Sequence, residues 1–307
     1  MPVDRPVLEA LRAQLGDRVR ADEPLARHTS FRVGGPADVL VVPDTAVELA
    51  AVLRTASTHG IRATMLGGGS NVLVGDGGVR GVVVKLGRGF ADVHWTPTDD
   101  GAVVRAGAAA QLGRVARDAD GRGLAGLEHA EGIPGTVGGA LFMNAGAYGG
   151  DLATTVDAVE GVTPDGEQRV LGRADLAFDY RRTQLPAAFV VTAVVLRLRR
   201  DTADAVRARM EAARERRVAS QPHGEANAGS IFKNPAGDHA GRLIEAGGLK
   251  GTRIGRARIS ERHANVIVNE GGARAGDVQA LMELAQRVVW ERSGVWLEPE
   301  VRLVGHW

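Results

Sequence analysis

Two runs of glycine constrain this chain more than any other feature. Gly67-Gly68-Gly69-Ser70-Asn71 follows a β-favouring segment, and Gly132-Ile133-Pro134-Gly135-Thr136-Val137-Gly138-Gly139 leads into a short helical pattern. A residue without Cβ lets the main chain turn left-handed and lets another backbone or a ligand approach closely. The chain has 42 glycines in 307 residues, roughly twice the ~7% of an average protein. They cluster in short loops rather than spreading as a flexible linker, so at those loops main chain must come close to something.

The rest of the pattern gives those loops a setting. Residues 37–42 read as an apolar strand. Thr45 with Glu48 makes a capping box for a helix whose Val47, Ala50, Ala51 and Leu53 are expected on one face, and Gly60 ends it. Residues 61–66 read as the next strand, a βαβ unit running into the first glycine loop. Strands at 81–86 and 103–106 and a helix at 111–119 precede the second run, which opens a short helix through Phe142. Pro164-Asp165-Gly166 is a hairpin turn, and residues 189–198 form a long valine-rich strand. Composition shifts near Asp201: a charged, alanine-rich helix spans 203–217, followed by the polar loop Gln221-Pro222-His223-Gly224-Glu225. Beyond it lie a helix at 239–246, strands at 252–259 and 265–269, a helix at 277–293 and a closing strand from Val295. A chain of this length predicts two or three compact units.

Several function classes are excluded early. The net charge is +1, with no block of like charge, so there is neither the basic stripe of a nucleic-acid binder nor an acidic tail. Cysteine is absent; this excludes disulfides, thiolate ligands, a cysteine nucleophile and a flavin tethered through sulfur, and fits a reducing compartment. The opening Met1-Pro2-Val3-Asp4-Arg5-Pro6 has no signal-like apolar stretch, and no segment approaches the roughly 20 apolar residues that span a bilayer. A cytoplasmic protein with no membrane or nucleic-acid partner is therefore expected. The histidines form no metal-binding spacing and no G-x-S-x-G elbow is present.

The motifs leave choices open when taken singly. The first glycine run lacks the Lys-Ser/Thr of a phosphate-binding P-loop, and apolar Val72-Leu73-Val74 stands where a Rossmann helix would begin. It is a plain turn, or an anion nest suited to a pyrophosphate with Ser70 and Asn71 as extra donors. The second run puts amides at a helix start, where the dipole and unpaired N–H groups favour negative charge; close packing explains its glycines equally well. Ser230-Ile231-Phe232-Lys233-Asn234-Pro235 combines a hydroxyl with an ammonium that could stabilise its alkoxide, against the commoner capping serine beside a surface lysine. Glu298 and Glu300 flank Pro299 in the closing strand and should share one face of it, either as perturbed carboxylates or as solvated edge residues. Arg181 and Arg182 are a solvated pair or a fork for a substrate carboxylate.

Taken in order, these segments resemble the UDP-N-acetylenolpyruvoylglucosamine reductase family. The resemblance is carried by His28-Thr29-Ser30-Phe31-Arg32-Val33-Gly34-Gly35-Pro36-Ala37, the two glycine runs, Asn144-Ala145-Gly146-Ala147-Tyr148-Gly149, Tyr180-Arg181, Gly229-Ser230-Ile231-Phe232-Lys233-Asn234-Pro235, Leu249-Lys250-Gly251 and Leu297-Glu298-Pro299-Glu300-Val301-Arg302. It extends over residues 28–304.

The resemblance implies an α+β fold: an FAD-binding fold of the vanillyl-alcohol-oxidase type in two lobes, 1–88 and 89–200, a smaller α+β substrate domain at 201–296, and a C-terminal strand, 297–307, returning to the FAD-binding region. It implies non-covalent FAD held by Gly67, Gly68, Gly69, Ser70, Asn71, Gly132, Ile133, Pro134, Gly135, Thr136, Gly138, Gly139, Asn144, Ala145 and Gly146. NADPH would reduce the flavin and leave. UDP-N-acetylglucosamine enolpyruvate would then take hydride at its methylene carbon, giving the UDP-N-acetylmuramate of peptidoglycan synthesis. Arg181 and Glu300 would polarise and hold the carboxylate and Ser230 would protonate the carbanion, with Tyr180, Lys233, Asn234 and Lys250 as substrate contacts. No tyrosine lies between Tyr180 and Ser230, which matches the family's shorter form without its tyrosine loop. A monomer is expected. Two other readings are an FAD oxidase, with His28 a candidate tether, and a nucleotide-binding module without turnover.

Overall fold

Thr45 and Glu48 form the expected capping box: the Glu48 N–H donates to Thr45 Oγ1 and the Thr45 N–H to the Glu48 carboxylate, both at 3.2 Å. It opens the helix Ala46–Thr58, which buries Leu49, Ala50, Val52, Leu53 and Ala56. Val47, expected on that face, is 71% exposed. At roughly 100° per residue, Val47 and Ala51 point away from the stripe centred on Leu49, Leu53 and Ala56. The computed structural model describes residues 3–222 and 224–307; Met1, Pro2 and His223 of the expected 221–225 loop lie outside the described residues.

Glu48 also takes Arg18 Nη2 at 2.5 Å, Arg18 Nη1 at 2.8 Å and the Asp44 N–H at 2.7 Å. Chiefly through the Arg18 hydrogen bonds, its carboxyl is held at about 2 against the usual 4.5. A depressed carboxyl contributes stability that is full above its unfolded value and is lost as pH falls through the folded one. Glu48→Gln should therefore destabilise the protein at neutral pH by about 1–2 kcal/mol, a figure discounted for solvent screening. The gap to wild type should close between 4.5 and about 2. Urea melts of both proteins across that range check it; a gap independent of pH would refute the assignment.

Contacts divide the chain into two units, the first formed by residues 3–20, 39–68 and 81–217 and the second by 21–38, 69–80 and 218–307. A four-stranded sheet runs Val19–Pro24, Pro36–Val41, Val79–Val84, Ala63–Met65. The expected βαβ unit is present, but Val79–Val84 lies between its strands and pairs parallel with Ala63–Met65. A larger antiparallel sheet in the first unit runs Gln168–Gly172, Val156–Val162, Val190–Arg200, Gly101–Gly107, Val93–Thr98, with Leu124–Ala125 also pairing with Val190–Arg200. Its hairpin turn is the expected Pro164-Asp165-Gly166, with the Thr163 N–H on Glu167 O at 2.9 Å. The core beneath it includes Val104, Leu112, Leu141, Val159 and Leu196.

The second unit carries a sheet in the order Ala226–Ser230, Val266–Asn269, Ala257–Ile259, Arg253–Ile254, with helices Ala240–Ala246 and Ala275–Ser293. Phe31, Phe232, Ile244, Leu281 and Leu297 share its core. The strand expected at 252–259 is a hairpin that turns at Gly255, φ +55°. The closing strand is confined to Arg302–Val304, paired parallel with Val72–Val74. Residues 295–301 are irregular apart from a bridge between Phe232 and Pro299, because a proline has no N–H with which to continue a ladder. Glu298 and Glu300 are therefore not neighbours on one strand face. No helix of the described residues is long and apolar enough to cross a membrane.

Candidate active site

In the first unit Gly67 and Gly68 meet the second glycine run. A Cβ on Gly68 would lie 2.8 Å from Gly135 Cα, and one on Gly67 would lie 3.1 Å from Thr136 Oγ1. Close packing thus explains part of the glycine content by itself. Thr136 caps the helix Val137–Phe142, accepting the Gly139 N–H at 3.4 Å. The expectation of unpaired N–H groups at this helix start is not met: Val137 donates to Ala110 O and Gly138 to Ala108 O, each at 2.9 Å.

The loop surface nonetheless fits an FAD diphosphate and ring. Gly132 at φ +70° and Gly135 at φ +115° turn the main chain through conformations that side chains disfavour, and the Arg217 side chain packs on Gly132, its Cδ 2.6 Å from where a Cβ would stand. A Cβ on Gly139 would meet Thr136 Oγ1 at 3.5 Å, an ordinary contact, so close packing does not account for that glycine. No acidic residue stands in the helix's first turn to repel phosphate.

Behind the second run, Asn144 is 3% exposed, with a left-handed φ of +40°. Its Nδ2 donates to Asp151 Oδ2 at 3.1 Å and to Asp179 O at 3.2 Å, and its Oδ1 accepts the Ala153 N–H at 3.0 Å. Ala145 donates to Ala140 O at 2.8 Å, and Gly146 pairs with Asp151 in a short bridge where a Cβ would meet Gly150 O at 2.4 Å. Tyr180 and Arg181 form the two-residue turn between Ala177–Asp179 and Arg182–Gln184, with Asp179 opposite Arg182. Tyr180 is 53% exposed and the Arg181 guanidinium stands 5.1 Å from its ring centre. Arg181 has φ +59°, a left-handed region that residues other than glycine seldom occupy.

In the second unit Ser230 ends the strand Ala226–Ser230 opposite Val266, and the register slips between Asn227 and Ser230. Gly229 at φ +71° makes that bulge, its N–H held by Asn227 Oδ1 at 2.9 Å, and a bulge of this kind re-aims the next side chain. The buried Asn265 amide then grips Phe232 on both sides, accepting its N–H at 2.9 Å and donating to its carbonyl at 2.7 Å. On the other edge the Lys233 N–H donates to Glu298 O at 2.9 Å and the Glu300 N–H to Ile231 O at 2.8 Å. Ser230, Lys233 and Glu300 are thereby carried on main-chain segments bonded directly to each other.

Asn71 Nδ2 donates to Glu300 O at 3.1 Å and Asn71 O accepts the Arg302 N–H at 3.0 Å, so the end of the first glycine loop fixes Glu300. Within the second unit, Gly69 O receives the Ser30 N–H at 3.0 Å, and Ser30 Oγ donates to Asn227 O at 2.7 Å, tying Gly69 to the Ser230 strand. Lys233 Nζ lies 3.2 Å from Glu298 and Lys250 Nζ 2.7 Å from Glu245. Asn234 Oδ1 accepts the Ala240 N–H at 3.1 Å, at the start of the next helix. His28, the candidate tether, has Nε2 on Glu23 Oε1 at 2.9 Å. Asn265 is not among the expected site residues, its sequence signal being a lone amide in the otherwise apolar run Ala264 to Val268, and Ser30, within the motif from His28 to Ala37, is given no role of its own.

Comparison with known proteins adds to this geometry. An FAD binding domain family matches residues 37–172, and the family described as UDP-N-acetylenolpyruvoylglucosamine reductase, C-terminal domain, matches residues 221–304. UDP-N-acetylenolpyruvoylglucosamine reductase 2 of Symbiobacterium thermophilum is 47% identical over 304 residues, 98% of this chain and 97% of its own. The crystal structure of UDP-N-acetylenolpyruvylglucosamine reductase from Thermus caldophilus has a TM-score of 0.79 at 38% identity, covering 93% of this chain and 98% of that one. p-Cresol methylhydroxylase, at 14% identity and a TM-score of 0.51 over 96% of this chain and 66% of its own, shares the fold alone.

Proposed function

This chain belongs to the UDP-N-acetylenolpyruvoylglucosamine reductase family, and we propose that Arg181, Ser230 and Glu300 carry its chemistry. It is an FAD-containing oxidoreductase of the vanillyl-alcohol-oxidase-type α+β fold, reducing UDP-N-acetylglucosamine enolpyruvate to UDP-N-acetylmuramate in peptidoglycan precursor synthesis. When bound, FAD supplies the two-electron chemistry that no side chain has, taking hydride from NADPH and passing it to the enolpyruvyl methylene carbon.

The remaining demands fall on the chain. Reduction at the methylene carbon leaves carbanion character on the neighbouring carbon, delocalised into the carboxylate. The Arg181 fork matches the two carboxylate oxygens and lowers the energy of that charge. Glu300 hydrogen-bonds to the same group, which requires one of the two carboxyls to hold a proton. Ser230 delivers the proton that completes the new C–H bond, and Lys233, from the same segment, offsets the charge left on its oxygen. Tyr180, Lys233, Asn234 and Lys250 contact the sugar nucleotide, the lysines as point charges for its diphosphate. Residues of both glycine runs and of the Asn144-Ala145-Gly146 segment hold FAD. The observation that carries this reading is the 2.8 Å bond from the Glu300 N–H to Ile231 O, which brings Glu300 to the residue following Ser230.

The functional division we propose is two FAD-binding lobes, 1–88 and 89–200, a substrate domain, 201–296, and a returning strand, 297–307. The pairing of Arg302–Val304 with Val72–Val74 supports the return of the last strand to the 1–88 segment. The enzyme works as a cytoplasmic monomer, where its phosphorylated co-substrates are made. An anaerobic titration tests the reading: NADPH should bleach the yellow holoenzyme, and UDP-N-acetylglucosamine enolpyruvate should restore the colour. A protein that bleaches and is not recoloured by that substrate would overturn it.

A further inference from the structure

We propose that Asn144 is a positioning residue that sets Arg181 for the substrate carboxylate. The inference rests on the reading of Arg181 given above. Asn144 makes its 3.2 Å bond to the carbonyl of Asp179, the residue immediately before the Tyr180-Arg181 turn. Its other Nδ2 proton goes to Asp151 Oδ2 and its Oδ1 takes the Ala153 N–H. With two acceptors on one side and a donor on the other, the amide has one satisfied orientation and cannot flip. An aspartate there would set a carboxylate oxygen against both a carboxylate and a carbonyl.

The opposite strand of the hairpin has its own tie, from Thr183 Oγ1 to Leu141 O. Leu141 lies in the helix Val137–Phe142 that the second glycine run opens, and Asn144 follows that helix closely. The turn carrying Arg181 is thus fixed on both strands to the segment that forms the flavin loop. Arginine at φ +59° is a costly conformation that persists only where the surroundings hold it, and these bonds are part of that hold.

The test uses holoenzyme carrying Asn144→Gly, which suits the left-handed main chain and deletes only the amide, and Asn144→Asp, each alone and combined with Arg181→Ala. Per bound flavin, Asn144→Gly should slow reoxidation by UDP-N-acetylglucosamine enolpyruvate about 10²-fold more than it slows reduction by NADPH, the usual effect of an ångström-scale misplacement. Calorimetry should show weaker binding of UDP-N-acetylmuramate, and the double variant should be little worse than Arg181→Ala alone. Equal slowing of both half-reactions, or effects that add in the double variant, would overturn the proposal. If Arg181→Ala reoxidises at the wild-type rate, the reading of Arg181 itself fails; if it is slow and Asn144→Gly is not, only the role of Asn144 fails. Should the Asn144 variants lose FAD, Thr183→Val cuts the hairpin's other tie: selective loss of reoxidation supports the proposal, and equal loss in both half-reactions refutes it.

Discussion

Ser230→Ala should keep reduction of the flavin by NADPH near the wild-type rate and slow reoxidation by the enolpyruvyl substrate by about 10²–10⁴-fold, the usual effect of a positioned general acid. That corresponds to about 3–5 kcal/mol of transition-state stabilisation. The local structure makes the substitution a clean one. The bulge that presents Ser230 is built by Gly229 and the Asn227 side chain, and the following segment is held by Asn265 and by main-chain bonds to Glu298 and Glu300. None of these uses the serine hydroxyl. Stopped-flow traces of the two half-reactions under anaerobic conditions separate the outcomes. If both remain fast, the proton comes from another group; if both slow together, the variant has disturbed the site rather than removed its acid.

Local structure is legible in the sequence where one short segment contains its own physics. The Thr45–Glu48 box, the Pro164-Asp165-Gly166 turn and the helix Ala275–Ser293, ended by Gly294 at φ +68°, each depend on neighbours in sequence. The helix Arg5–Leu15 lies outside the sequence expectations, yet Asp4 caps it, Val7, Leu11 and Leu15 repeat at helical spacing, and Pro6 is at home in its first turn. The strand Val93–Thr98 lies outside the sequence expectations; its Pro97 is tolerated because the strand is at a sheet edge.

What could not be read locally was the assembly of the site. The carbonyls of Ala108 and Ala110 that take the helix N–H groups, the Asn265 clamp on Phe232 and the Glu300–Ile231 bond all join residues distant in sequence. The motifs named the residues. Only long-range main-chain pairing shows that Ser230 and Glu300 belong to bonded segments, while Glu298 and Glu300 do not share the strand face their spacing suggested.

Arg181→Lys should be nearly as damaging as loss of the side chain, slowing reoxidation by about 10²–10³-fold, the range for removal of one donor aimed at developing negative charge. Lysine keeps the charge but presents a compact ammonium on a flexible stem, which cannot engage both oxygens of a carboxylate in one plane. Because lysine would occupy the same φ of +59° as arginine, backbone strain is matched and stability should change little. The effect should appear chiefly in kcat for the enolpyruvyl substrate, since charge on the carboxylate grows between bound substrate and transition state. A rise in KM with kcat unchanged would make Arg181 a ground-state anchor, and a lysine variant as fast as wild type would reduce its role to charge alone. The turn itself points to the former demand for geometry: glycine would fill a left-handed position with less strain, yet this hairpin holds an arginine there, tied back through Asn144 and Thr183.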